Sequence, residues 1–490
     1  MNISYIDLSV FIIYLIVIVL FGSSFYFRNK DSEAYTSGGG TLPSWVVGMS
    51  IFATFVSSIS FLAIPGKAYQ SNWNAFVFSL SIPIASIMAV KFFIPLYRSV
   101  NSISAYYYLE QRFGLWASRY ASICYILTQL MRTGSILYLL VLPINLMFGW
   151  DIATIIIITG IAVIIYSLLG GIQAVIWTDA IQGIILIGGA LACALLLMFN
   201  MPEGASQLFE IGSANEKFSL GSFDWSISES TFWVMLVYGL FINMQNYGID
   251  QNYVQRYMSA RNEKEAKSSA LFGSLLYVPV SMIFFFIGTA LFAYYTAQPE
   301  LLPEGTPADK VFPHFIVNQL PVGVTGLLIA AIFAAGMSTV STSINSTATI
   351  ILSDYYKRIK PDASEKSKMK VLYIASLIFG VLGIGVALAM INVKSALDAW
   401  WSLASIFSGG MLGLFLLAFF SKKAKSINAA IGVMVGVLII FWMSLSSMIF
   451  KDGFMEYLQN PFHTNLTIVI GTTTIFLVGF LFAKKDTTGQ

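Results

Sequence analysis

Runs of about 20 apolar residues, the length that crosses a hydrocarbon core, recur along this chain from end to end. The first, Ile6 to Phe27, has no Lys or Arg before it, and Arg28 and Lys30 come just after it. A cleaved secretory signal has the opposite order, a basic start and a shorter core, so this run reads as a retained helix. Further runs near 45–70, 74–96, 120–148, 152–170, 174–199, 230–250, 269–296, 322–352, 371–391, 400–420, 427–449 and 464–483 bring the expected crossings to about thirteen. With 57% hydrophobic and 10% charged residues over 490 positions, the composition excludes a soluble core and predicts an all-α polytopic membrane protein.

The placement of Lys and Arg gives an independent check, because cytoplasmic loops collect them. With the N-terminus outside, the inner loops receive Arg28, Lys30, Arg98, Arg112, Arg256, Arg261, Lys264, Lys267, Lys357, Arg358, Lys360, Lys366, Lys368, Lys370, Lys422, Lys423, Lys425, Lys484 and Lys485. The outer loops receive only Lys217, Lys310, Lys394 and Lys451. One missed crossing would scramble this division. The expectation is a multi-pass protein of a cell membrane, bathed in lipid, with its C-terminus in the cytoplasm. The outer segments 200–229 and 297–320 read as caps.

Several function classes drop out. Cys124 and Cys193 both fall in apolar runs and His314 and His463 stand apart, which leaves neither a disulfide framework nor a zinc spacing. No G-x-x-x-x-G-K-[ST] loop is present to cradle ATP phosphates, so uphill work has to draw on an ion gradient. No paired nucleophile and base suggests an intramembrane enzyme, and nothing points to nucleic acid.

Inside the run from Val322 to Leu352 lies AAGMSTVSTSINST, Ala334 to Thr347, a band of hydroxyls in an oily segment. On a helix Ser338, Ser341 and Thr342 share one face, with Thr339 beside them. Such a face either bonds neighbouring helices or offers oxygen to a hard cation such as sodium, and the residues alone admit both readings. In the second run Ser57, Ser58 and Ser60 precede Pro65 and Gly66, and a helix broken there would free carbonyls at membrane depth. Asn243, Gln245, Asn246 and Gly248 repeat the theme in the seventh run, five crossings on, as inverted repeats would. Two ionisable residues lie well inside apolar runs. Arg132 offers a planar fork for a carboxylate or, structurally, for backbone carbonyls. Asp179 is either an ion ligand or a helix cap with Gln182.

Four segments together, FATFVSSISF (Phe52 to Phe61), GGIQAVIWTDAIQG (Gly170 to Gly183), DQNYVQRY (Asp250 to Tyr257) and AAIFAAGMSTVSTSINS (Ala330 to Ser346), resemble the sodium:solute symporter family. Within it the pattern is most similar to bacterial sodium/sialic acid symporters. The resemblance implies a LeuT-like five-plus-five inverted repeat in one transmembrane domain. The extra N-terminal helix would be 6–27, the repeats 45–199 and 230–420, and two C-terminal helices would fill 427–483. It implies a first sodium on Ala53, Val56, Ala335, Ser338 and Thr339, and a second on Asp179, Ser338, Ser341 and Thr342. Arg132 would hold the carboxylate of an anionic sugar, and Ser57, Ser58 and Ser60 its polar groups. Ser79, Asn243, Gln245 and Asn246 complete the expected substrate set. The protein would act as a monomer. Phe55 stands where the pattern has a small hydroxyl residue, and Ala75 and Ser79 replace a bulkier aromatic and an amide, which implies a roomier pocket with a different preference among sialic acids. Monocarboxylates or amino acids are the alternative cargo.

Overall fold

A computed structural model of the chain describes residues 4–28, 31–391, 410–450 and 456–485. The start of the run expected at 400–420 lies outside the described residues, as do Lys394 and Lys451. Among those described, the regular structure is helical apart from one isolated bridge between Leu42 and Ala260. Among the described residues nine helices are long and apolar enough to cross a membrane, or ten when one bent pair is counted as a single span.

In chain order these are α1 (Tyr5–Ser24), the bent pair α2 (Ser44–Phe55) and α3 (Ser58–Gln70), α4 (Trp73–Val100), α5 (Leu115–Phe148) and α6 (Ile152–Phe199). An outer helix α7 (Ala205–Ala214) leads to α8 (Phe232–Ile249), the short α9 (Gln251–Ser259) and α10 (Glu263–Ala297). The chain continues through α11 (Ala308–Asn318), α12 (Val324–Ile350), α13 (Glu365–Met390), α14 (Met411–Phe420), α15 (Ser426–Ile449) and α16 (Leu466–Lys485). The 48 residues of α6 exceed a bilayer, and Gly171, at φ 57° and ψ −165°, interrupts the helix in a region closed to most side chains.

Breaks in the helices set the middle of the molecule. The axes of α2 and α3 differ by 50°, because Val56 (ψ 121°) and Ser57 (ψ 175°) are extended rather than helical. The second break differs from the sequence expectation. Asn243, Gln245, Asn246 and Gly248 all lie within the unbroken α8, and the chain turns extended one step later, at Asp250 (ψ 127°). The side chain of Asp250 accepts from the amide of Asn252 at 2.8 Å and starts α9. Polar composition located the segment, and the N-cap carboxylate located the turn.

The hydroxyl helix α12 lies at the centre, packed by α6, α5, α1 and α2. Apart from the residues at its outer end, almost every side chain along it is buried. Its N-terminal end is capped by another helix: Asp7 of α1, buried, accepts from the amides of Gly323 and Gly326 at 2.7 and 2.8 Å. That satisfies two amides that a helix start leaves without partners. At the end of α3 Lys217 donates to the carbonyls of Tyr69 and Ser71 at 2.7 and 2.9 Å, with its ammonium 3.9 Å from the centre of the Phe292 ring. Burial pulls that ammonium below the ordinary lysine range.

Close approach of α10 to α2 and α3 depends on glycine. A Cβ on Gly273 would stand 2.3 Å from the Gly48 carbonyl oxygen, and one on Gly288 2.3 Å from that of Pro65. Gly273→Leu should therefore destabilise the folded protein by about 1–3 kcal/mol or more, because backbone cannot yield as a side chain can. Gly385→Ala, where nothing lies within 4 Å, should leave stability equal or up to about 1 kcal/mol higher. Thermal unfolding of the detergent-solubilised variants, followed by circular dichroism, separates the two outcomes.

Candidate membrane site at the helix breaks

The site forms where the break between α2 and α3 faces α12. Breaking a helix leaves carbonyls without their usual donors. Ala53 and Val56 are buried, and among the described residues no hydrogen bond reaches the carbonyl of either. The neighbouring Thr54 carbonyl accepts from Arg132 Nη2 at 3.1 Å. Across from them Ala335, Ser338 and Thr339 are buried, and the Thr339 hydroxyl donates to the Ala335 carbonyl at 3.1 Å. Orphaned carbonyls facing hydroxyls in a low dielectric are suited to a small, hard cation that brings its own positive charge.

One turn further along α12 is a closed charged knot. Asp179, on α6 and fully buried, pairs through Oδ2 with Arg256 Nη2 of α9 at 2.7 Å. Ser50 donates to the same oxygen at 2.6 Å, with the Thr54 hydroxyl at 3.5 Å, and Ser338 donates to Oδ1 at 2.6 Å. Arg256 also donates to Ser50 Oγ, the Asn252 carbonyl and Thr342 Oγ1, each at 2.7 Å. Sequence reasoning counted Arg256 among the cytoplasmic loop cations, but it has no exposed surface. Helix α9 is polar on average and follows a break, so it reads as loop, and its buried role shows only in three dimensions. The capping alternative for Asp179 is also set aside, since the residue lies inside α6, and the Gln182 amide donates to Tyr14 instead, at 3.3 Å. Ser341 joins neither partner and donates to the Ser338 carbonyl at 3.0 Å.

Arg132 is half-buried on α5, and among the described residues no carboxylate forms an ion pair with it. Its bond to Thr54 puts it beside the break. Ser57 and Ser60 are buried there, the Ser60 hydroxyl facing the Ser57 amide at 3.4 Å, while the side chain of Ser58 lies outside the described residues. The remaining expected substrate residues are more dispersed in their bonding. Ser79 pairs with Ser281 at 2.8 Å, and the Asn243 amide donates to the Phe78 carbonyl and to Ser81, at 3.2 and 3.0 Å, which holds α8 against α4. Oxygens of Asn243 and Gln245 stay buried without a partner among the described residues, and Asn246 is half-buried. Phe55 stacks on Tyr247 with ring centres 5.3 Å apart and meets Tyr277 edge-on at 4.5 Å, so the departure at this position wedges an aromatic cluster into the break.

A bundle of membrane helices with two broken spans, orphaned carbonyls and a half-buried arginine that has no ion pair among the described residues fits the class of ion-coupled solute transporters. Comparison with known proteins specifies the class: residues 35–436 match the sodium:solute symporter family, and the chain belongs to it. It is 37% identical to the sodium/sialic acid symporter SiaT of Proteus mirabilis, over 89% of each chain. It is 35% identical to the sodium/sialic acid symporter NanT of Aliivibrio fischeri, over 96% of this chain and 91% of that one. Among solved structures, the substrate-bound, outward-open state of a Na+-coupled sialic acid symporter superposes with a TM-score of 0.90 at 35% identity, covering 98% of both chains. The nucleobase-cation transporter Mhp1, at 16% identity and a TM-score of 0.58, shares the fold. The protein is a secondary transporter and not an enzyme.

The buried pair gives a stability prediction. Removing one partner strands a charge, so Arg256→Met should destabilise by about 3–5 kcal/mol, and Asp179→Asn by a comparable amount. The double variant Asp179→Asn/Arg256→Met should recover part of that loss. A double-mutant cycle on thermal unfolding in detergent measures the recovery, and simple additivity would mean the two residues do not depend on each other.

Proposed function

We propose that this chain is a sodium-coupled symporter that brings sialic acid into a bacterial cell across the inner membrane by alternating access. The observation that carries the reading is Arg132: a guanidinium beside the helix break, with no direct ion pair among the described residues, in a fold that superposes on a sialic acid symporter at a TM-score of 0.90. A planar fork of that kind is suited to bidentate capture of a carboxylate. Ser57, Ser58 and Ser60, with Ser79, Asn243, Gln245 and Asn246, line the polar remainder of the substrate path.

Two sodium ions accompany each substrate. The first lies on the carbonyls of Ala53, Val56 and Ala335 with the hydroxyls of Ser338 and Thr339, a reading supported by the orphaned carbonyls of Ala53 and Val56. The second uses Asp179, Ser338, Ser341 and Thr342. For it to bind, the Ser338 hydroxyl has to turn its hydrogen away from Asp179, which converts a donor into a ligand oxygen. Arg256 stays on the other carboxylate oxygen. The helices support a path of thirteen crossings with the N-terminus outside and the C-terminus in the cytoplasm. In that path α6 counts twice, α8 and the span ending in α14 count once each, and 45–199 and 230–420 form inverted repeats. Helix 6–27 and the pair in 427–483 flank them in a monomer surrounded by lipid.

Proteoliposome uptake of labelled N-acetylneuraminate with and without a sodium gradient tests the reading, and uptake indifferent to the gradient overturns it. Arg132→Ala should weaken substrate binding by about 2–5 kcal/mol while sodium binding persists. Arg132→Lys should also bind poorly, since an ammonium lacks the fork. Ser338→Ala and Thr339→Ala should each raise the sodium concentration needed for half-maximal uptake. With two sodium ions and one monoanion, substrate should evoke an inward current, driven by about 2.3 kcal/mol per 100 mV of membrane potential. Transport without current would exclude that stoichiometry.

A further inference from the structure

Beside the break four charged side chains lie close together: Asp179, Arg256, Asp250 and Arg132. The first two form a direct pair. The other two do not. Asp250 is buried, and its direct partners are the Asn252 amide at 2.8 Å and the Gln129 amide at 3.3 Å. Its link to the arginines runs through its neighbours: Asn252, from whose amide it accepts, offers its own carbonyl to Arg256 at 2.7 Å, and Gln129 leads to Arg132. Gln129 stands three residues before Arg132 on α5, so the two share a face. The Gln129 carbonyl oxygen accepts from Ser343 at 2.8 Å, and Ser343 also donates to the Thr339 carbonyl at 3.0 Å. Asp250 thus connects the arginine-bearing helix to the hydroxyl helix through one glutamine.

We infer that Asp250 is the resident counter-ion of Arg132 and that it makes binding of an anionic substrate depend on sodium. Two carboxylates and two guanidiniums sum to zero, so the cluster is neutral without cargo. A substrate carboxylate that joins Arg132 brings one unbalanced negative charge, and an uncompensated charge in a low dielectric is costly. A sodium ion restores neutrality. Without the Asp250 charge, Arg132 carries a surplus positive charge, and the substrate alone completes the balance. Asp250 is then a positioning residue that never needs to touch the cargo. The inference rests on the reading of Arg132 as the carboxylate clamp.

Calorimetric titration of the purified full chain with N-acetylneuraminate, over sodium concentrations from none upward with choline as the replacement, tests it. The parent should bind steeply more tightly as sodium rises. In Asp250→Asn the sodium-free affinity should rise about tenfold and the sodium dependence should flatten, and Asp250→Glu should restore the parent slope. Gln129→Leu removes the amide that ties Asp250 to the arginine-bearing helix and should flatten the dependence in the same direction, a result that stands even if Asp250→Asn does not fold. Weaker binding at every sodium concentration with the parent slope in Asp250→Asn, or an unchanged slope in Gln129→Leu, overturns the inference. Arg132→Ala in the same assay separates the two layers. If it binds as the parent does, the clamp reading fails. If it loses substrate while Asp250→Asn keeps the parent slope, only the counter-ion role fails.

Discussion

The pairing of Asp179 with Arg256 is the constraint around which the helices beside the first break are arranged. Two groups with no exposed surface are held at 2.7 Å, and their further hydrogen bonds go to Ser50 of α2, to Ser338 and Thr342 of α12, and to the carbonyl of Asn252 within α9 itself. In lipid the desolvation of such a pair is tolerable only if that whole shell is in place. Four helices are therefore tied at one point, and the point lies one turn from the carbonyls of the first break.

The sequence made α12 legible because hydroxyls are conspicuous in an apolar run, and burial of almost the whole helix agrees with that reading. It made the break at Val56 and Ser57 legible for a similar reason, serines followed by Pro65 and Gly66. The second break was found in the right segment and misplaced, because amides inside an unbroken helix, such as Asn243, look the same in sequence as amides at a break. Arg256 was the larger miss. A charge in a short amphipathic helix after a break satisfies every criterion for a cytoplasmic loop, and only the position of Asp179 across the core, 77 residues earlier, discloses what it binds. Asp7 escaped notice too, since a carboxylate near the start of a first helix reads as solvent-facing until the amides of Gly323 and Gly326 are seen above it.

Departures from a family pattern also have packing reasons. Phe55 fills the elbow between α2 and α3 with a ring that lies nearly parallel to Tyr247, 7° between planes. Tyr247 belongs to α8 and Tyr277 to α10. One side chain therefore links the first broken span to the second, and the two breaks are mechanically joined by aromatic contact as well as by the charged knot.

The Asp7 cap couples that machinery to the bilayer. α1 is flanked by lipid-facing isoleucines and leucines along much of its length, so its depth follows the thickness of the surrounding hydrocarbon. Because its carboxylate holds the first amides of α12, the level of the hydroxyl band is registered against α1 as against a depth gauge.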